Sequence, residues 1–319
     1  MTRYRALVRP KIGLVLPQWE GRLFGPPEPP ALRWSELQSM ALAAEDAGLD
    51  SLWLVDDLLP EGDPPKGFWE GWTLLAAVAA VTRRVEVGHL VTANTFRNPA
   101  LLAKMADTVD EISGGRLILG LGAGGDEYEH RAFGFPWERR VARFEEALQI
   151  IIPLLREGRV DFQGEFYSIR ECDLRPRGPR TTGPPVLIGA LANARRMMRL
   201  TAQYADMSHG FLAFGRSTPA QVAPLRDALD AACLRVGRDP ATLARPMAVR
   251  VELELDGPIG HMFDTEEPIR GSVDEVADTF WRFADEGIAH LMLAVSPESH
   301  AAIEQIGRVI QLMDRGRPA

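Results

Sequence analysis

Apolar residues along the chain follow two alternating rhythms: short unbroken runs rich in β-branched residues, and longer stretches where they recur every three or four positions. The clearest example lies between Val85 and Glu129. Residues 85–91 read as a strand, after which Asn98 and Pro99 supply a helix N-cap and a first helical residue. Leu101, Leu102, Met105, Val109 and Ile112 carry the helical period to Ser113. Gly114 and Gly115 stop it, and residues 117–121 begin a second strand. Both strands are apolar nearly throughout, the pattern of a parallel sheet covered on both faces. Each opens into a polar or glycine-rich loop, where folds of this kind bind ligands.

The same unit repeats before and after. Strands are expected at 12–16, 51–55, 186–188, 206–208, 247–253 and 290–295, with helices over 40–47, 73–81, 141–156, 194–205, 219–236, 273–286 and 297–313. Ser35 and Gln38 form a capping box ahead of the first helix, and Gly48 supplies its left-handed end. Residues 160–162 and 166–169, flanking Gln163-Gly164-Glu165, read as a small hairpin outside the repeat, after the fourth helix. Eight strands alternating with eight helices predict an α/β fold: a single (β/α)8 barrel domain over residues 1–319, with inserted loops at 62–71, 126–136 and 256–271 building one rim.

Composition changes this picture little. A chain of 319 residues, 46% hydrophobic and 25% charged, is an ordinary globular protein. A net charge of −8 argues against nucleic-acid or anionic-membrane partners. Cys172 and Cys233 are far apart, without a CxxC or a nearby histidine, so neither a disulfide framework nor a thiol metal site is expected. No apolar run approaches the ~18 residues of a membrane span, and the expected compartment is the cytoplasm.

Candidate chemistry gathers at strand ends. Asp56 and Asp57 follow the second strand, pointing in different directions, so that one is expected to face the cavity. His89, Thr92 and Asn94 crowd the end of the third, and His130 and His209 follow the fourth and sixth. Residues 120–125, Gly-Leu-Gly-Ala-Gly-Gly, match GxGxxG, but no helix opens at the last glycines and no acidic residue ends the following strand, so a dinucleotide fold is not the reading. The glycines instead let backbone approach a planar or phosphorylated ligand, or make a tight turn. No lysine stands at a strand end, which disfavours a Schiff-base aldolase, and no HxH or HExxH supports a metallohydrolase. A site without an obvious protein-borne catalyst points to an organic cofactor.

The segments RNPALLAKMADTVDEISGGRLILGLGAG, AGLDSLWLVDDLL, GFWEGWTLLAAVAAVT, PPVLIGALANARRMMRLTAQYADM and GSVDEVADTFWRFADEGIAHLMLAV together resemble the bacterial luciferase-like monooxygenase superfamily, in order and spacing, over residues 11–313. The resemblance implies an oxidoreductase binding reduced FMN, or in one branch the deazaflavin coenzyme F420, at the C-terminal rim. It acts by flavin-hydroperoxide oxygenation or by hydride transfer on a small organic substrate. Carried onto this chain, it implies a non-proline cis peptide at His89-Leu90 under the cofactor ring, Thr92 on the cofactor and Ala123 and Gly124 on its side chain. Asp56 would stand near the ring, with Asp56 and His89 as the catalytic pair. The phosphate would sit on Gly189, Ala190, Leu191 and Asn193 and the next helix N-terminus. It implies a homodimer and, with FMN, a separate flavin reductase. Many relatives carry Asp-His where this chain has Asp56-Asp57, and Asp57 is expected to turn away into a loop cap. Phe68, Trp69, Phe133, Phe135, Trp137, Met262 and Phe263 suggest an apolar or aromatic substrate, and a non-catalytic flavin-binding protein on the same barrel is the alternative.

Overall fold

A computed structural model describes residues 8–21, 31–61, 67–189, 194–211, 216–255 and 267–317. Eight parallel strands close into a barrel: β1 (Lys11–Val15), β2 (Ser51–Leu54), β3 (Glu86–His89), β4 (Leu117–Gly122), β5 (Val186–Gly189), β6 (Met207–Phe211), β7 (Met247–Glu252) and β8 (His290–Ser296). Each pairs with its neighbours in sequence, and β1 closes on β8 through the register Lys11–His290 to Leu14–Leu293. Helices α1 (Trp34–Asp46), α2 (Gly71–Val81), α3 (Pro99–Ser113), α4 (Glu127–Phe133), α5 (Arg140–Glu157), α6 (Arg195–Tyr204), α7 (Val222–Arg235), α8 (Val273–Asp285) and α9 (His300–Asp314) accompany it. An antiparallel pair, Arg159–Gln163 with Ser168–Asp173, forms the expected hairpin. No described helix is long and apolar enough to cross a membrane.

The large core lies between strands and helices, while Trp53, Ile118, Leu187, Ala248 and Met292 fill the barrel interior. Trp53 fits because the strands beside it carry glycine: a Cβ on Gly13 or Gly88 would each lie 2.7 Å from its ring. Its indole nitrogen donates to Ser51 Oγ at 2.7 Å, which lies 2.7 Å from His290 Nε2, so the buried polar atoms of the plug satisfy one another.

Local signals explain most boundaries. Asn98 Oδ1 accepts from the amides of Ala100 and Leu101, Pro99 takes the first helical position, and Gly114 at φ 67° ends α3 in the left-handed region. Besides shifts of a few residues at element ends, three features differ from the sequence expectation. First, α1 is capped at Arg33, whose amide is accepted by Glu36 at 2.8 Å, rather than at Ser35. Second, the loop after β4 contains α4, capped by Asp126. Third, the non-proline cis peptide is Leu90–Val91, not His89–Leu90. The Leu90 amide still donates to Leu54 O at 2.8 Å, so the regular β2–β3 ladder runs one residue further before the chain departs, rejoining β4 through Thr92 and Ala93.

Candidate functional site

A cavity of about 470 Å³ opens at the C-terminal rim of the barrel. Its walls come from Asp56 and Asp57 after β2, Leu90 and Val91 after β3, and residues 122–125 after β4. Gly189 of β5, His209 of β6 and the first turn of α6 complete it. It therefore joins Asp56, Leu90, Ala123, Gly124 and Gly189 of the expected site. Ala190, Leu191 and Asn193 lie outside the described residues.

Asp56 is held from behind. Its side chain is fully buried and takes a two-pronged ion pair from Arg97, at 2.6 and 2.8 Å, plus the Ala93 amide at 2.9 Å. Arg97 also reaches Glu70 at 2.7 Å. Burial pushes the Asp56 carboxyl up to about 6 against the opposing pull of Arg97. Asp56 thus ties the end of β2 to the turn before α3, a tie that required the identification of Arg97, which sequence reasoning passed over. A buried carboxylate at a strand end demands a cation, and that demand was the available signal.

Asp57 does not turn away. It is half-buried, lines the cavity and, among the described residues, has no hydrogen-bond partner. Burial, and then the charges of Glu129, Asp56 and Asp126, push its carboxyl up to about 7. Glu129 and Asp126 are themselves occupied: Glu129 accepts the amides of Leu58 and Leu59 at 2.8 and 3.3 Å, and Asp126 that of Glu61 at 2.8 Å. These bonds clip the loop after β2 to α4.

His89 and Thr92 stand apart from the cavity wall. His89 shares the outer face of β3 with Val87 and packs on Trp72 of α2, ring centroids 5.0 Å apart; burial lowers its pKa to about 3, so the imidazole is neutral. Thr92 is fully buried, its hydroxyl without a partner among the described residues. His209 does line the cavity, and burial lowers its pKa to about 4.

The glycine run serves the protein's own packing before any ligand. A Cβ on Gly120 would lie 1.9 Å from His89 O, and one on Gly122 2.6 Å from Val91 Cγ2. Gly124, at φ +85°, would strike Thr95 and His130, which are joined through Thr95 Oγ1 and His130 Nε2 at 2.7 Å. Gly125 alone of these faces open space. The rim aromatics likewise stack on each other: Phe96 packs on His130 and Phe135, centroids 4.8 and 4.9 Å away, and Arg140 lies 4.1 Å over Trp137. Phe68 packs on Trp19, and Trp69 faces an outer groove beside α1 and α2. Met262 and Phe263 lie outside the described residues.

At the opposite wall, α6 begins without a side-chain cap at Ala194, and Ala194 and Met197 line the cavity. The first N–H groups of a helix have no partner within it, and this helix begins at the cavity wall.

A family model described as luciferase-like monooxygenase matches residues 16–254. Pyrimidine monooxygenase RutA of Methylorubrum extorquens (strain PA1) is 34% identical over 227 residues, covering 68% of this chain and 59% of the relative. The 5,10-methylenetetrahydromethanopterin reductase of Archaeoglobus fulgidus is 30% identical over 209 residues, covering 66% and 58%. The chain spans less than two thirds of the length of these relatives. An F420-dependent secondary alcohol dehydrogenase in complex with an F420-acetone adduct superposes with a TM-score of 0.77 at 18% identity, over 95% of this chain and 99% of that one. EDTA monooxygenase from Chelativorans sp. BNC1 does so at 0.77 and 13%, over 96% and 94%; both share the fold.

Proposed function

Because the chain belongs to the luciferase-like monooxygenase family, we propose that it is an oxidoreductase that binds reduced FMN or coenzyme F420 in the rim cavity, beside a small organic substrate. The observation that carries this reading is that α6 begins, without a side-chain cap, at Ala194 in the cavity wall, and a helix N-terminus is a site that a cofactor phosphate would suit. Once bound, the cofactor supplies the hydride or the activation of oxygen, and the protein supplies orientation and electrostatics. Leu90 and Val91 would form the floor, Ala123 and Gly124 would flank the cofactor's side chain, and the β5 end at Gly189 would hold its phosphate. Asp56, locked by Arg97, holds the β2 end in register with Ala93. His89 packs against Trp72 of α2 and would act from outside the cavity wall. Relatives named as monooxygenases and a fold neighbour named as an F420-dependent dehydrogenase support a cofactor of this class. A cytoplasmic homodimer, supplied by a separate flavin reductase when FMN is used, completes the proposal.

Replacing Ala194 by Asp separates stability from binding. As an N-cap, the carboxylate satisfies free amides of α6 and should leave stability equal or raised by about 0.5–1 kcal/mol, while its charge at the phosphate site should weaken cofactor binding about tenfold or more. Titration of wild type and Ala194→Asp with reduced FMN and reduced F420 measures both; unchanged affinity in the variant would remove the phosphate from this helix. Substrate-dependent oxidation of the bound cofactor distinguishes an enzyme from a protein that only retains it.

A further inference from the structure

Among the described residues, four carboxyl groups approach the cavity from two elements, and three are already engaged. Asp56 is spent on Arg97 and the Ala93 amide, Glu129 on Leu58 and Leu59, and Asp126 on Glu61 and the cap of α4, where it accepts the Tyr128 amide at 2.7 Å. Neither nearby cation is free for the fourth: Arg97 is held by Asp56 and Glu70, and Arg140 donates to Gly124 O at 3.2 Å while lying over Trp137. His209, across the cavity, is neutral. Asp57 is left facing the open space, half-buried among three acids.

We propose that Asp57 is the acid of the cavity, presenting a carboxyl proton to a hydrogen-bond-accepting atom, a carbonyl oxygen or ring nitrogen, of the molecule bound there. The inference rests on the cavity being a cofactor and substrate site. On transfer the proton joins the acceptor atom, the electron pair of the O–H bond remains on Asp57 as the carboxylate, and solvent at the cavity mouth returns the proton. The surroundings keep that proton available near neutral pH, since burial and the charges of Glu129, Asp56 and Asp126 all oppose ionisation and no cation among the described residues favours it. The same arrangement disfavours an anionic group on this wall, so the bound molecule offers Asp57 a neutral acceptor.

Two measurements test this. The first uses the protein alone. With a folded-state pKa near 7 against an ordinary 3.8, the native state binds more protons across that interval, so stability conferred by the protonated form is present at low pH and lost as pH rises towards 7. Asp57→Asn cannot ionise. Its Tm should match wild type at about pH 4.5 and exceed it by about 3 °C at about pH 8. The second follows the binding of reduced FMN and reduced F420 across the same range. Wild-type affinity should fall about tenfold as pH rises through 7; Asp57→Asn, which keeps a donor, should bind evenly across the range, and Asp57→Ala weakly throughout. A wild-type profile reproduced by all three proteins, or a Tm difference independent of pH, would overturn the inference. Failure of every protein to bind either cofactor would contradict the cofactor reading and take Asp57's role with it; a surviving pH-dependent Tm difference would then locate the error in the ligand rather than in the acid.

Discussion

Gly120→Ala is expected to unfold the barrel or bring it close to unfolding. The new methyl would stand 1.9 Å from His89 O and 3.0 Å from His89 C, and both are backbone atoms of a strand locked to its neighbours on either side. A flexible side chain could swing aside, but the β3–β4 seam must open. The cost should therefore reach the top of the ordinary overpacking range, about 3 kcal/mol or more. Gly125→Ala is the control: its Cβ meets nothing within 4 Å, and stability should change by no more than about 0.5 kcal/mol. Denaturant unfolding of both variants measures the contrast. A Gly120→Ala protein as stable as wild type would mean that β3 and β4 are not as close as described, and that the glycine run serves some other purpose.

The second large effect is expected at Arg97. Arg97→Met leaves the buried Asp56 carboxylate with only the Ala93 amide and should cost about 3–5 kcal/mol near neutral pH. The dependence on pH has a definite sign. Burial already raises Asp56 to about 6 with Arg97 opposing, so removing Arg97 raises it further. The variant's carboxyl is then neutral at acidic pH and is ionised in the fold only at a cost, so the loss of stability should be smaller at about pH 5 than at about pH 8. Adding Asp56→Asn should recover most of it. Unfolding curves of the two single variants and the double variant at both pH values decide the matter, and a loss that neither varies with pH nor responds to Asp56→Asn would show that the pair does not hold the β2 end. Glu70, the second partner of Arg97, is solvent-exposed and contributes little to this balance.

The barrel was legible because its signals are periodic and local. Strands covered on both faces read as unbroken apolar runs, and Asn98-Pro99 and Gly114 marked both ends of α3 in residues whose conformations are chemically constrained. The helix α4 was not legible. Residues 127–133 carry no apolar stripe, and the helix is held by Asp126 at its start and by Glu129 reaching the distant amides of Leu58 and Leu59, contacts that no short window contains.

At the site, residue types at strand ends were readable but their directions were less so. The alternation along β3 did contain the answer for His89: Gly88 makes room for the interior Trp53, so its neighbour must face the helices. Beyond the last ladder bond the alternation lapses: both Asp56 and Asp57 line the cavity, not one as expected, and which of them is tied up depended on Arg97, forty-one positions away along the chain from Asp56. The glycines of residues 120–125 look alike in sequence, yet Gly120 and Gly122 clear the neighbouring strand, Gly124 clears His130, and only Gly125 opens onto free space.

The most direct test is a titration of the purified protein, freed of bound cofactor, separately with reduced FMN and reduced F420. Saturable binding of at least one, at one site per chain and weakened about tenfold by Ala194→Asp, is the expected result. A folded protein that binds neither would contradict it.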